Sequence, residues 1–494
     1  MLFNYDNTNE QSIFEYAKKL EGKTFKEILN EYNHSLYKSY KDRINGIVPP
    51  TFVQEESIDY TTNPKAKGEL GGFLEKHYFG YQPNGKQDAD FEIGLELKQT
   101  CIDTKKNGEY TAGERLSITN ISYKDPVQDD FYKSHLWKKM NHMLLVHYLR
   151  DRGIDRFDYE IKFVNLFTPP KEDLKIIIED YELINKKLKE GKAHEISEGD
   201  TFYLGACTKG ATAAKSLHPQ YYGDHVPAKK RNFCLKRSYM DYVLKNYILS
   251  NNVPYESITK NADEEFTSFE EYIIKRINQY QGKTDKELCQ LFHREYNNNK
   301  AQWIDLAYRM LGIKGSHAEE FVKANIIVKA IRIEENGSIR EHMSFPPFKF
   351  KELAKEEWEE STISEYFTET KFLFVIYKSD GSCYRLLGSQ LWNMPQHDLD
   401  TIAQKEWTEV KELIQNGITF VHSKSSISNN LPKPKDSIIL HVRPHAQKSA
   451  YKLNDGYTSG NITRDANELP NGEWMTTQSF WINKSYILQQ LKYK

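Results

Sequence analysis

The sequence predicts two tandem domains of mixed α/β (α+β) class, the second a degenerate copy of the first. Strand-like and helix-like patterns alternate along the chain, a set of motifs recurs in the same order in each half, and an acidic-basic strand motif of the first half loses its acid in the second. The expected boundaries are 1–250 for the first domain, 251–265 for a polar linker and 266–494 for the second domain.

Strands are expected at Phe91 to Ile102, Leu116 to Ile121, Tyr159 to Leu166 and Phe202 to Ala206, where β-branched, aromatic and aliphatic residues cluster. Helices are expected at Leu70 to Tyr78, Leu174 to Lys189 and Ser238 to Leu249, where apolar residues recur at helical spacing.

The repeat is ordered. Ser12-Ile13-Phe14-Glu15-Tyr16 leads to Gly22-Lys23-Thr24, and Ser268-Phe269-Glu270-Glu271-Tyr272 leads to Gly282-Lys283-Thr284. Leu145-Val146-His147-Tyr148 before Asp151 parallels Phe374-Val375-Ile376-Tyr377 before Asp380. Helices ending at Gly191 and Gly417 correspond, and Phe233-Cys234-Leu235-Lys236-Arg237-Ser238-Tyr239 matches Phe480-Trp481-Ile482-Asn483-Lys484-Ser485-Tyr486. The Gly-Lys-Thr triplets are not phosphate loops, because Ala17 and Ile277 stand where a Walker glycine is required. They read as helix punctuation: a closing glycine, then Thr24 with Glu27 or Thr284 with Glu287 as a capping box.

Composition bounds the function classes. Of 494 residues, 38% are hydrophobic and 13% aromatic, enough for a sizeable core. No apolar run reaches bilayer length, and the N-terminus lacks the pattern of a secretory signal, so no membrane partner and cytoplasmic residence are expected. The five cysteines form no CxxC pair, which argues against a disulfide framework or a zinc site. A net charge of -2 does not by itself point to nucleic acid, though a specific DNA enzyme can segregate its charge into a basic cleft.

Chemistry concentrates in Asp88-Ala89-Asp90-Phe91-Glu92-Ile93-Gly94-Leu95-Glu96-Leu97-Lys98. On a strand, Glu96 and Lys98 share one face while Leu95 and Leu97 face the core. A carboxylate and an ammonium side by side, with an aspartate at the preceding turn, suit a Mg²⁺-water site. The same pattern read alone also fits a solvated strand face. Upstream, Glu75 lies off the centre of the stripe formed by Leu70, Phe73 and Leu74 and could reach a neighbouring site. Downstream lie Thr208-Lys209-Gly210, the run Lys229-Lys230-Arg231, and Lys236-Arg237, basic segments of the sort a phosphate-binding cleft uses.

Lys67-Gly-x-x-Gly71-x-x-Leu74-Glu75, then Asp90-Phe91 and Gly94-Leu95-Glu96-Leu97-Lys98, then Phe233-x-Leu235-Lys236-Arg237, resembles MutH, the mismatch-repair nicking endonuclease of the PD-(D/E)xK superfamily. With the duplication, the closer resemblance is to the two-domain Sau-type type II restriction endonucleases that cleave at GATC and whose second domain is catalytically dead. The resemblance covers nearly the whole chain. It implies Asp90, Glu96 and Lys98 as catalytic residues, Asp90 and Glu96 as the Mg²⁺ ligands, and Glu75 as a supporting acid. It also implies that Thr208-Lys209-Gly210 is the loop reading bases in the major groove, where the family often carries Arg-Pro-Lys; Thr and Gly here depart from that pattern. The Asp90 to Glu96 gap is one residue shorter than usual, so Asp88 stays as a rival. In the second half Ile326-Ile327-Val328-Lys329 lies where Leu95-Glu96-Leu97-Lys98 lies in the first, while His441-Val442-Arg443-Pro444-His445 stands at the place of the reading loop.

Double-stranded DNA with GATC sites is therefore the expected partner, Mg²⁺ the cofactor, and Lys67, Thr208, Lys209, Gly210, Lys236, Arg237, Arg443 and His445 the DNA-binding set. A dimer on DNA and a cognate methyltransferase in the same system are further expectations. A strand-nicking repair enzyme and a non-catalytic DNA-binding regulator are the alternatives.

Overall fold

The computed structural model describes residues 3–43, 69–81, 88–208, 217–251, 254–260, 268–423 and 427–493. The chain divides into two compact units, Met1–Pro254 with Val322–Ala324, and Tyr255–Phe321 with Asn325–Lys494.

The first unit is organised around a four-stranded sheet. The strand Glu96–Thr104, here the site strand, lies between Tyr110–Ala112 and the central strand Met143–Leu149, and Glu160–Phe167 forms the outer strand. Site and central strands run parallel, with Glu96 opposite Met143, whereas the other pairs are antiparallel. A parallel pair needs a crossover. The chain supplies one that carries Leu116–Asn120 and the short helix His135–Met140 before entering the central strand. One sheet face is buried: Leu95, Leu97, Leu144, Val146, Ile161 and Val164 pack with Ile13, Ala17, Phe25, Phe73 and Leu74 from the helices.

A second sheet places Arg231–Leu235 between Leu116–Asn120 and Leu204–Thr208, here the loop strand because the expected reading loop follows it in sequence. Asp180, on the helix Lys171–Lys189, starts this loop strand. Its two oxygens accept the N–H groups of Phe202 (2.7 Å), Tyr203 (2.7 Å) and Leu204 (2.9 Å). Burial raises its carboxyl to about 6, against the opposing pull of Lys236 and these N–H donors.

The second unit repeats the plan. Ile326–Ile333 pairs parallel with Lys371–Ser379, which pairs antiparallel with Tyr384–Trp392. A second sheet places Gln478–Ile482 between Met343–Phe348 and Leu440–Pro444. The correspondence extends to single hydrogen bonds. Gly22 N–H donates to Ile161 O and Ile161 N–H to Lys23 O; Gly282 N–H donates to Leu386 O and Leu386 N–H to Lys283 O. Both glycines are left-handed, at φ +82° and +85°, and Thr24–Glu27 and Thr284–Glu287 form the expected reciprocal caps. Register shifts fall at matching places, His147/Tyr148 and Ile376/Tyr377. Glu406 does for Ile438, Ile439 and Leu440 what Asp180 does for its three N–H groups. These are tandem copies of one mixed α/β fold.

Three expectations shift. The strand begins at Glu96 rather than Phe91, because Gly94 (φ +81°) folds Phe91–Leu95 into a turn in which Phe91 N–H donates to Leu95 O. The helix at Glu69–Phe73 continues as a π-turn over Leu74–Phe79, and Arg237–Tyr242 likewise continues as π over Val243–Ile248. Within the segment read as linker, Glu256 pairs with Ala318, and Ile258 and Thr259 donate to Glu320.

Replacing Asp180 by Ala strips three buried N–H groups of their acceptor and is expected to lower stability by roughly 3 kcal/mol. The reading is a lower urea midpoint, with Asp180→Asn, which keeps one acceptor oxygen, falling between the two.

Candidate active site

Leu95 and Leu97 are held in the core, so Glu96 and Lys98 project together from the opposite face of the site strand. Glu96 is 1% exposed. A carboxylate that deep needs counter-charge, and two ammonium groups provide it. Lys98 Nζ lies 2.5 Å from Glu96 Oε1, and Lys139 Nζ lies 3.1 and 3.2 Å from its two oxygens. Asp90 closes the turn before the strand, its Oδ2 accepting Leu97 N–H at 3.0 Å, while Oδ1 accepts no hydrogen bond among the described residues.

The acids crowd one another. Burial raises the Asp90 carboxyl to about 7, with Glu96 and Glu75 adding to the rise and Lys98 and Lys139 opposing it. Burial is also the main cause holding the Glu75 carboxyl above its ordinary range, and the same two lysines and Glu96 act on it. Glu75 sits in the π-turn Leu74–Phe79, a helical irregularity that often accompanies function. Tyr81, whose N–H donates to Glu75 O, brings a buried hydroxyl with no hydrogen-bond partner among the described residues; its ring packs edge-on against Phe91. Asp88 stands apart, exposed and paired with Lys138 at 3.4 Å. The structure thus brings Asp90, Glu96, Lys98 and Glu75 together.

Lys139 and Tyr81 were not anticipated. The available signal for Lys139 was Lys138-Lys139 at the end of a short helix that runs straight into the apolar strand Met143–Val146. Parallel pairing of that strand with Glu96 sets the helix end over the carboxylate.

Three carboxylates facing two ammoniums, with one carboxyl pushed toward neutrality, form a donor set that a hard divalent cation would relieve. Among the described residues no group of three or more His, Cys, Asp or Glu is arranged to hold a metal alone. Asp90 and Glu96 instead form a two-carboxylate set, which suits Mg²⁺ when phosphate and water complete its octahedron.

The DNA-binding expectations divide. Lys67, Lys209 and Gly210 lie outside the described residues. Thr208 is exposed at the end of the loop strand. Lys236 is a correction: it is buried, its Nζ donates to Thr201 O, and its charge faces Asp180, so it holds the fold and is not turned toward DNA. Arg237 is half-buried and donates from Nε to Ala112 O at 3.0 Å. Arg231, from the expected basic run, is buried and donates to Ala206 O. In the second unit Arg443 is exposed with its guanidinium 5.3 Å from the Trp481 ring, and His445 Nδ1 lies 3.1 Å from Ser479 Oγ. His441 is fully buried, which separates it from His445 and removes the pair as a zinc site.

The second unit keeps the strand and loses the acids. Four residues before its register shift, Phe372 pairs with Ile327, as Met143 pairs with Glu96. Ile327 therefore occupies the position of Glu96, and Lys329 that of Lys98. Five residues before the left-handed Gly312 stands Ala307, where Glu75 precedes Gly80.

An aspartate at a turn, Glu-x-Lys on the following strand and a third acid from the helix before it define a nuclease site of the PD-(D/E)xK class. The family model of the DNA mismatch repair enzyme MutH matches residues 79–180, a span that holds Asp90, Glu96, Lys98 and Lys139. The type II restriction enzyme Sau3AI of Staphylococcus aureus is 33% identical over 461 residues, covering 87% of this chain and 93% of its own. The DNA mismatch repair protein MutH of Vibrio campbellii is 27% identical over 215 residues, covering 42% of this chain and 90% of its own. That of Vibrio parahaemolyticus is 28% identical over 189 residues, covering 37% and 80%. The chain belongs to the MutH-like type II restriction endonucleases. No helix among the described residues is long and apolar enough to cross a membrane.

The Asp90 carboxyl titrates near 7, so below that pH a proton must leave before the carboxylate can take a metal. Metal affinity should therefore rise with pH and level off above about 7, standing about tenfold below its plateau at about pH 6. Calorimetric titration with Mn²⁺ in buffers of different ionisation enthalpy reads the released proton; a pH-independent affinity in the unaltered protein would remove Asp90 as a ligand.

Proposed function

We propose that this protein is a Mg²⁺-dependent restriction endonuclease that hydrolyses both strands of double-stranded DNA at GATC sites. The observation that carries the reading is the convergence of Asp90, Glu96 and Lys98, with Lys139 behind Glu96, in a chain similar over most of its length to a type II restriction enzyme.

Asp90 and Glu96 would hold the cation, with Oδ1 of Asp90 the oxygen open to it. Bound there, Mg²⁺ supplies charge to polarise the scissile phosphate and lowers the pKa of a coordinated water. Lys98 orients the attacking water and offsets charge developing on the phosphate. Lys139 holds Glu96 in place when Lys98 turns from the carboxylate to the water. Glu75 supports the cluster from the helix side. Base reading falls to Thr208 with Lys209 and Gly210, and Lys67 and Arg237 are assigned to the DNA backbone.

One site cuts one strand. Double-strand cleavage thus calls for two chains or two sequential binding events, and a homodimer on the palindrome matches the symmetry of the sequence read. The second unit, without acids at its equivalent site and with Arg443 and His445 exposed, binds a further GATC duplex and promotes cleavage by the first. A methyltransferase protecting the host's own sites belongs to the same system, and the cytoplasm is where both would act.

Glu96→Ala and Lys98→Ala are each expected to lower cleavage of unmethylated GATC plasmid by at least a hundredfold, roughly the 3 kcal/mol of a lost catalytic group, while duplex binding in Ca²⁺ persists. Linear product supports restriction, persistent open circles would mean nicking, and unchanged cutting by either variant would reject the assignment. An uncleavable GATC duplex should speed cutting of a single-site plasmid; no acceleration would leave the second unit a structural buttress.

A further inference from the structure

The equivalent site of the second unit has changed its charge as well as lost its metal ligands. Ile327 replaces Glu96, and Ala307 replaces Glu75. The turn that bears Asp90 has become the short helix Glu319–Ala324, where Glu320 is spent on Ile258 N–H (2.9 Å), Thr259 N–H (3.0 Å) and Ser257 Oγ (2.6 Å). The lysine of the strand survives as Lys329.

Lys329 is half-buried, and its ammonium makes no hydrogen bond or ion pair among the described residues. The helix Lys300–Met310 packs on this strand, with its Trp303 ring 5.3 Å from the Arg332 guanidinium, and its exposed first residue, Lys300, is the charge acting on Lys329. Burial first, and Lys300 second, hold its ammonium below the ordinary lysine range. An enclosed ammonium beside a like charge is unfavourable until an anion arrives. In the first unit the corresponding lysine is neutralised by Glu96 at 2.5 Å. Here the strand offers Ile327 instead, so Lys329 keeps its full demand for a counter-ion.

We propose that the vestigial site is a metal-free phosphate seat, in which Lys329 and Lys300 grip a backbone phosphodiester of the DNA bound by the second unit. The inference rests on the reading of that unit as a DNA binder and adds where and how it holds the backbone. Substituting acids plus cation by two lysines preserves attraction for a phosphate and removes the means to hydrolyse it.

The test uses the full-length chain and a short GATC duplex, titrated in EDTA and in Ca²⁺ over a range of salt. Two binding steps should be resolved, one strengthened by Ca²⁺ and the other indifferent to it. Lys329→Gln should weaken the indifferent step about tenfold and lower its salt slope by about 1, as expected for one lost phosphate contact. Lys329→Arg should restore it, and Lys300→Gln, an exposed substitution, should weaken it in the same direction. Absence of any Ca²⁺-indifferent step would overturn the DNA-binding reading of the second unit and the seat with it. Two steps with the indifferent one unmoved by both Gln variants would overturn the seat alone.

Discussion

Glu96 is buried to 1% exposure, and the geometry of the first unit turns on how its charge is kept there. A carboxylate withdrawn from water to that degree is strongly unfavourable unless paired. Lys98 reaches it from the same strand, and Lys139 from the helix that precedes the neighbouring one. The second contact exists only because site and central strands pair in parallel, with Glu96 opposite Met143. The crossover between them therefore serves both topology and chemistry. It delivers the short helix His135–Met140, whose last turn carries Lys139.

Much of this organisation was legible in the sequence, for identifiable reasons. Alternation of Leu95 and Leu97 with Glu96 and Lys98 shows which face meets the core, and the capping boxes at Thr24 and Thr284 announce themselves through their spacing. What stayed hidden depends on long-range register. Lys139 lies 43 residues from Glu96, and its local signal, a lysine pair closing a short helix, does not reveal that it reaches that carboxylate. The π-turn at Leu74–Phe79 adds a residue to a helical turn without altering the apolar pattern, so periodicity could not show how Glu75 is aimed. Lys236 misled for the opposite reason. Beside Arg237 it reads as surface charge, yet the opposing carboxylate of Asp180 and the carbonyl of Thr201 draw it inside.

The two copies show which contacts belong to the fold. Asp180 and Glu406 differ by a methylene but meet the same three N–H groups at the start of the loop strand, an obligation any version of this sheet must satisfy. One step further along, the copies part. Cys207 and Cys234, diagonal neighbours across the first unit's strands, give way to Arg443 with its guanidinium over the Trp481 ring in the second. The sheet tolerates either pair because the backbone ladder on both sides is unchanged. Side chains at the end of the loop strand are thus open to variation while the strand that presents them is not.

The same separation explains why a copy can lose its chemistry and remain folded. A buried carboxylate held by ammonium groups offsets its desolvation without adding much net stability, and apolar residues of similar volume replace such groups at little or no cost. Ile327 at the position of Glu96 packs against the second unit's core, where branched aliphatic side chains suit a strand. Losing the acids therefore removed a strained electrostatic arrangement and added apolar contact. The remaining lysine did not follow, and stability gives no reason for it to stay. A half-buried ammonium without a counter-ion is a cost to the folded state, so its persistence beside Lys300 is easier to explain by what it meets when DNA is bound than by anything it does for the free protein.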